Sequence, residues 1–168
     1  MILTRGEIIR LIKKREIRVE PFDEKSIGPA SIDLRLGNEF RIFDKIKRYD
    51  IKDSADADKI TKIVHVKEYI DLKPGQLILG VTKEKITLPE NVCGWIQGRS
   101  RFARLGLMVY VTAAFMQPGI NNHQVLEIFN ASNMTLRLYP GTKVCQFVFE
   151  MCKGKAKYEG RYRSQVKP

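Results

Sequence analysis

The sequence predicts a mainly β protein, an antiparallel sandwich or distorted barrel entered by one short N-terminal helix. Three observations carry this expectation. Short segments of β character recur along the chain at roughly even spacing between turn residues. Only one stretch has clear helical periodicity. Two Pro-Gly turns, in LKPGQLILG (72–80) and LYPGTKVCQF (138–147), each lead into a strand from a leucine two residues before the proline. Pro sets φ at the first turn position, and Gly takes the positive φ that follows.

The helix comes first. Thr4 and Glu7 are spaced as a capping box, and Ile8, Ile9, Leu11 and Ile12 repeat at helical spacing, so residues 4–15 are expected to be helical. Strands are then expected at IRV (17–19), SIDLRLG (31–37), EFRIF (39–43), KIVHV (62–66), QLILGVT (76–82) and VCGWIQG (92–98). They continue at LMVYVTA (107–113), QVLEIFN (124–130), TLRLYP (135–140) and KVCQFVFE (143–150). DIKDSADADKI (50–60) is polar without a period and is expected to be a surface loop. From Lys153 the chain turns basic and glycine-containing, with no core pattern.

At 168 residues, 43% hydrophobic and 29% charged, the chain fits one folded domain, 1–168, with a single core. No apolar run approaches the roughly 18 residues of a membrane span. The opening residues have neither the apolar stretch nor the cleavage site of a signal peptide, so a cytoplasmic protein is expected. Cys93, Cys145 and Cys152 are odd in number and widely spaced, which suits neither a disulfide framework nor a zinc site. The net charge of +11 attracts polyanions without selecting one. Abundant Lys, Arg and Ile with few Gln would also suit a thermophilic source.

Three stretches carry candidate chemistry. In VLEIFN (125–130), Val125, Glu127 and Phe129 share one strand face, and Leu126 and Ile128 share the other. Glu127 is therefore set among apolar neighbours. It is either an edge carboxylate paired with an arginine, or a general base whose pKa desolvation raises. In GRSRFARLG (98–106), Arg99, Arg101 and Arg104 surround Ser100 in a turn flanked by glycines, a pattern suited to phosphate or carboxylate and equally to a solvated basic turn. The segment 153–168 interleaves Tyr158, Arg161, Tyr162, Arg163 and Gln165, and could close over a nucleotide, stack on single-stranded bases or stay disordered. His65 and His123 stand alone in their segments, and zinc-deaminase, P-loop and dinucleotide signatures are absent.

GRSRFARLGLMVYVTAAFMQPG followed by VLEIFN closely resembles the dCTP deaminase family, a branch of the trimeric dUTPase superfamily. ASIDLRLGNEFRIF (30–43), LPENVCGWIQGRS and YEGRYRSQ (158–165) extend the resemblance over nearly the whole chain. The resemblance implies a dUTPase-like, jelly-roll-type distorted β-barrel that forms a homotrimer with active sites between subunits. It implies hydrolytic loss of ammonia from C4 of dCTP, giving dUTP, with magnesium carried by the triphosphate, no zinc and no specific nucleic-acid partner. By the resemblance Glu127 falls on the catalytic glutamate, Ser100 on the serine that helps hold the water, and Arg104 on the arginine beside that glutamate. Ala113 falls on the residue whose carbonyl touches the water. Arg99 matches a phosphate-contacting arginine, and Tyr158, Arg161 and Gln165 match tail residues that close on the triphosphate. Arg101, Thr112, Gln117, Gln146 and Tyr162 complete the expected substrate-binding set.

The chain also departs from the family pattern. Gln117 stands where many members have an Asp that contacts the sugar and, in dUTPases, helps place the hydrolytic water. Arg101 replaces a second serine, Phe115 a frequent arginine, Tyr110 a common histidine, and Arg161 the usual tail lysine. The VTA segment (111–113) resembles the deaminase-only branch, whereas Gln146 resembles the dUTPase and bifunctional branch. The expected reaction is therefore dCTP to dUTP. The alternatives are a dUTPase or bifunctional enzyme releasing dUMP and pyrophosphate, and a non-catalytic nucleotide or single-strand binder.

Overall fold

In a computed structural model all residues, 1–168, are described. Helix α1 (Arg5–Lys13) buries Ile8 and Leu11, the stripe its periodicity predicts. The expected capping box does not close, since the Thr4 side chain makes no capping bond. Glu7 instead accepts from Arg10 Nε at 2.8 Å, a charge-assisted bond stronger than one to a neutral amide.

The strands are β1 (Arg18–Glu20), β2 (Ile32–Phe43), β3 (Thr61–His65), β4 (Ile70–Leu72), β5 (Leu77–Thr87) and β6 (Val92–Gly98). After the one-turn helix α2 (Ser100–Ala103) follow β7 (Leu107–Val109), β8 (Phe115–Met116), β9 (Asn121–Asn130), β10 (Leu136–Leu138) and β11 (Lys143–Met151). One antiparallel sheet runs β7-β9-β5-β2-β11-β6-β8, with β1 also on β5 and β3 also on β2. This is the mainly β, curled barrel-like architecture the sequence predicts.

Two expected strands, 31–37 and 39–43, are one. β2 pairs with β11 through Ile32–Arg35 and with β5 and β3 beyond, and its register on β5 shifts between Leu36 and Phe40. Such irregularities bend strands and curl sheets. Gly37 lies at the bend, where a Cβ would come within 2.8 Å of the Val81 carbonyl. The two Pro-Gly turns behave alike, with Gly75 at φ 71° and Gly141 at φ 86°. The segments entering them pair with one another as β4 and β10, Leu72 opposite Leu136. The likeness in sequence therefore marks two matched corners.

A single core gathers Ile8, Leu34, Phe40, Ile78, Ile86, Leu126, Ile128, Phe147 and Phe149. Cys93 and Cys145 are buried free thiols, and Cys152 is half-buried. No helix is long and apolar enough to cross a membrane. Along β9, Asn122, Gln124, Leu126, Ile128 and Asn130 are buried, while Val125, Glu127 and Phe129 stay half-buried on the opposite face. That alternation sets Glu127 facing away from the core.

Candidate active site

Glu127 sits mid-strand in β9, opposite Leu79 of β5. On its other edge β9 is covered by β7 only through Leu107–Val109. The strand expected over 107–113 stops there because Tyr110 turns to φ 75° while its amide still donates to the Glu127 carbonyl at 2.8 Å. A bulky residue in this left-handed region is strained, a state that persists only where its surroundings hold it. Here the turn sends the next two amides back toward β9. Val111 N and Thr112 N donate to Glu127 Oε2 at 3.0 and 2.7 Å, and Thr112 Oγ1 donates to Oε1 at 3.0 Å. All three contacts come from donors, so the Glu127 oxygens act as hydrogen-bond acceptors. Burial, with Cys145 and Glu127 adding to it, pushes the Tyr110 hydroxyl well above its usual range.

Glu127 lines a cavity of about 460 Å³ whose wall includes Leu79, Tyr110, Ala113, Gln117 and Val125. Tyr158, Arg161, Tyr162 and Gln165 line it too. The tail lies against β9. Asn121 N donates to Arg163 O and His123 N to Gln165 O, each at 3.0 Å, and Asn122 Nδ2 donates to Tyr162 O at 2.7 Å. The tail thus occupies the stretch of β9 edge that β7 leaves unpaired, satisfying amides that would otherwise need water.

The 50–60 segment is more than a surface loop. It contains a short helical turn at Ala57–Lys59, and Asp56, Ala57 and Asp58 reach the cavity. Arg161 pairs with Asp56 at 3.1 Å, and Arg41 pairs with Asp58 at 2.6 Å. Arg41 also donates to the Pro168 carbonyl. Nothing in the sequence pattern placed Arg41, Asp56 or Asp58 here, because each reaches the cavity through tertiary contacts with the tail and loop. The Val111 amide was equally hidden, since a backbone donor leaves no residue-type signal.

The other expected residues are not at Glu127 within one chain. Arg99 donates to Lys143 O at 3.1 Å and pairs with Asp33 at 3.3 Å. Gln146, opposite Asp33 and Gln97 in the sheet, accepts from Ser31 Oγ at 2.7 Å. Ser100, Arg101 and Arg104 are exposed on and beside α2, and their side chains make no hydrogen bond or ion pair with the chain. The candidate residues therefore form two groups. One is the Glu127 cavity with Thr112, Ala113, Gln117 and the tail, and the other is the basic turn with Gln146.

The curled antiparallel sheet that carries this cradled carboxylate places the chain in the fold class of two solved structures. A 2′-deoxycytidine 5′-triphosphate deaminase from Agrobacterium tumefaciens superimposes with a TM-score of 0.70 at 22% identity, over 89% of this chain. This chain spans 48% of that protein's length. The dUTPase of Staphylococcus aureus phage phi11 superimposes at 0.51 and 14% identity, over 86% of this chain and 96% of its own. Within that class the chain belongs to the dCTP deaminase family. The dCTP deaminase-like family model matches residues 2–152. A protein named "dCTP deaminase, dUMP-forming" from Nocardioides sp. is 37% identical, covering 100% of this chain and 93% of its own. One of the same name from Methanothermobacter thermautotrophicus is 37% identical, covering 99% and 91%.

Proposed function

We propose that this chain converts dCTP to dUMP, removing ammonia from C4 of the base and then releasing pyrophosphate. The observation that carries the first step is the Glu127 carboxylate, held by the Val111 and Thr112 amides and the Thr112 hydroxyl within the cavity roofed by the tail. Glu127 takes a proton from water as the water oxygen bonds to C4, and returns it to the departing ammonia. Ala113, which also lines the cavity, offers its carbonyl to the same water. Ser100 and Arg104 place the water and the developing charge, so orientation does the work assigned to zinc in unrelated deaminases. Magnesium arrives on the triphosphate as part of the substrate.

The second step is supported by the dUMP-forming names of the relatives and by Gln146, and it shifts the product from the dUTP first expected. Gln117 bears on it directly, because an amide cannot act as a carboxylate base toward the attacking water. A deaminase stopping at dUTP is the reading that Gln117 favours.

The two separated groups support an oligomer. Leu105, Met108, Val111 and Phe115 are exposed in the segment that runs from the basic turn to the Glu127 cradle, and exposed apolar side chains of this kind suit a protein interface. A homotrimer would bring the Ser100–Arg104 turn of one subunit to the Glu127 cavity of the next.

Removal of residues 158–168 is expected to raise KM and lower kcat together, by about tenfold or more each, because a closing segment both binds substrate and excludes water. Steady-state kinetics of the truncated protein checks this, and unchanged kinetics would make the tail a bystander.

The reaction is tested by incubating the protein with magnesium and dCTP and resolving dCTP, dUTP, dUMP and pyrophosphate over time, with a parallel dUTP incubation. dUMP and pyrophosphate appearing with ammonia supports the proposal. Accumulating dUTP without pyrophosphate limits the chain to deamination. If ammonia is not released, the catalytic reading fails.

A further inference from the structure

The loop between β2 and β3 meets the tail at Asp56, and the loop holds that residue by its own bonds. The Asp56 amide donates to Tyr49 Oη at 3.1 Å, and Tyr49 Oη donates to the Asp56 carbonyl at 3.3 Å. Asp56 Oδ1 accepts from Asp58 N at 3.1 Å, capping the turn Ala57–Lys59. The turn in its turn is tied to the sheet. Thr61 Oγ1 of β3 donates to Ala57 O at 2.6 Å, and Arg41 of β2 pairs with Asp58 at 2.6 Å while donating to Thr61 Oγ1 at 3.1 Å. One oxygen of Asp56, Oδ2, is left over, and it faces Arg161 of the tail at 3.1 Å. The Asp58 amide and then Arg161 hold the Asp56 carboxyl below its usual range.

An exposed pair of two mobile side chains contributes little, because ordering both offsets their attraction. Asp56 is short and already ordered, so only the arginine is immobilised. Elsewhere the tail is fastened on a different wall. Tyr158 N donates to Pro118 O at 2.9 Å, and Asn121 N, Asn122 Nδ2 and His123 N of β9 donate to the carbonyls of Arg163, Tyr162 and Gln165. Asp56, Asn122, His123, Arg161, Tyr162 and Gln165 all line the Glu127 cavity. The tail therefore spans from the β9 edge to the loop.

We propose that Asp56 is a positioning residue that catches Arg161 and so holds residues 158–165 across the Glu127 cavity, making closure depend on the loop as well as on β9. Its effect on catalysis rests on the nucleotide reading above, since a closing segment both binds substrate and excludes water.

Hydrogen exchange of the full chain, read by mass spectrometry, follows the catch without any nucleotide. The Asn121 and His123 amides donate to the tail, so they exchange when the tail lifts. Asp56→Asn removes the charge and keeps a capping acceptor, and exchange at these amides should rise about two- to fivefold. Arg161→Gln should give the same rise, and the double variant no more than either alone, because the two changes break one contact. Asp53→Asn, exposed in the same loop, should leave exchange unchanged. Asp56→Ser serves if the asparagine variant does not fold. With magnesium and dCTP, Asp56→Asn should raise KM by about the same two- to fivefold, and Asp53→Asn should not. Unchanged exchange in Asp56→Asn, additive effects in the double variant, or an equal rise in Asp53→Asn overturns the catch. Faster exchange with unchanged KM overturns its part in positioning. If the parent turns over no dCTP, the nucleotide reading falls, and exchange alone decides whether Asp56 holds the tail.

Discussion

Replacing Glu127 by Gln is expected to abolish ammonia release from dCTP, a loss of about 10⁴-fold, at the upper end of what general acid–base catalysis supplies. The change is nearly isosteric, and the cradle accommodates it. The amide oxygen can take the place of Oε2 between Val111 N and Thr112 N, while the amide nitrogen faces Thr112 Oγ1, which can turn to accept. What disappears is the capacity to accept a proton from water. Binding of dCTP should stay within about tenfold of the parent, since other groups hold the nucleotide and only the chemical step is lost. Single-turnover kinetics beside equilibrium binding separates the two effects. An active Glu127→Gln protein would remove Glu127 from the mechanism, whereas a protein that neither binds nor reacts would give the carboxylate a structural role.

The contrast between Glu127 and its partners marks how far the sequence could be read. Alternation in VLEIFN put Leu126 and Ile128 on one face and Glu127 on the other, because a strand's period of two is rigid, and the structure turns the first pair inward. The Pro-Gly corners were legible for a similar reason, since a turn requiring positive φ names its residue. Tyr110 was not legible. Nothing in LMVYVTA marks a tyrosine that leaves the strand with φ 75°, because tertiary packing imposes that conformation against the residue's own preference. Composition left three readings of the tail open, because it describes the segment alone and ignores the unpaired β9 edge it meets. Ser100 and Arg104 are expected at the site by resemblance alone, and within one chain they are exposed and make no bond to Glu127.

That separation leads to the second large expected effect. Arg104→Ala should lower deamination about 10²- to 10³-fold, the usual loss when one preorganised electrostatic group is removed. The side chain is exposed and unpaired within its own chain, so the substitution should leave the melting temperature unchanged, and the defect would lie in the chemistry. The two inactive proteins, Glu127→Gln and Arg104→Ala, then test the shared site when mixed. If each site takes Glu127 from one subunit and Arg104 from its neighbour, unfolding and refolding an equal mixture makes some interfaces with both halves intact. In a randomly assembled cyclic trimer about one interface in four carries the active combination, so about a quarter of the unmodified activity should return from two proteins that have almost none. If both residues act within one chain, every chain in the mixture is defective and activity stays at the level of the two parents. Recovered activity would also exclude a functional monomer, because no single chain in the mixture holds a complete site.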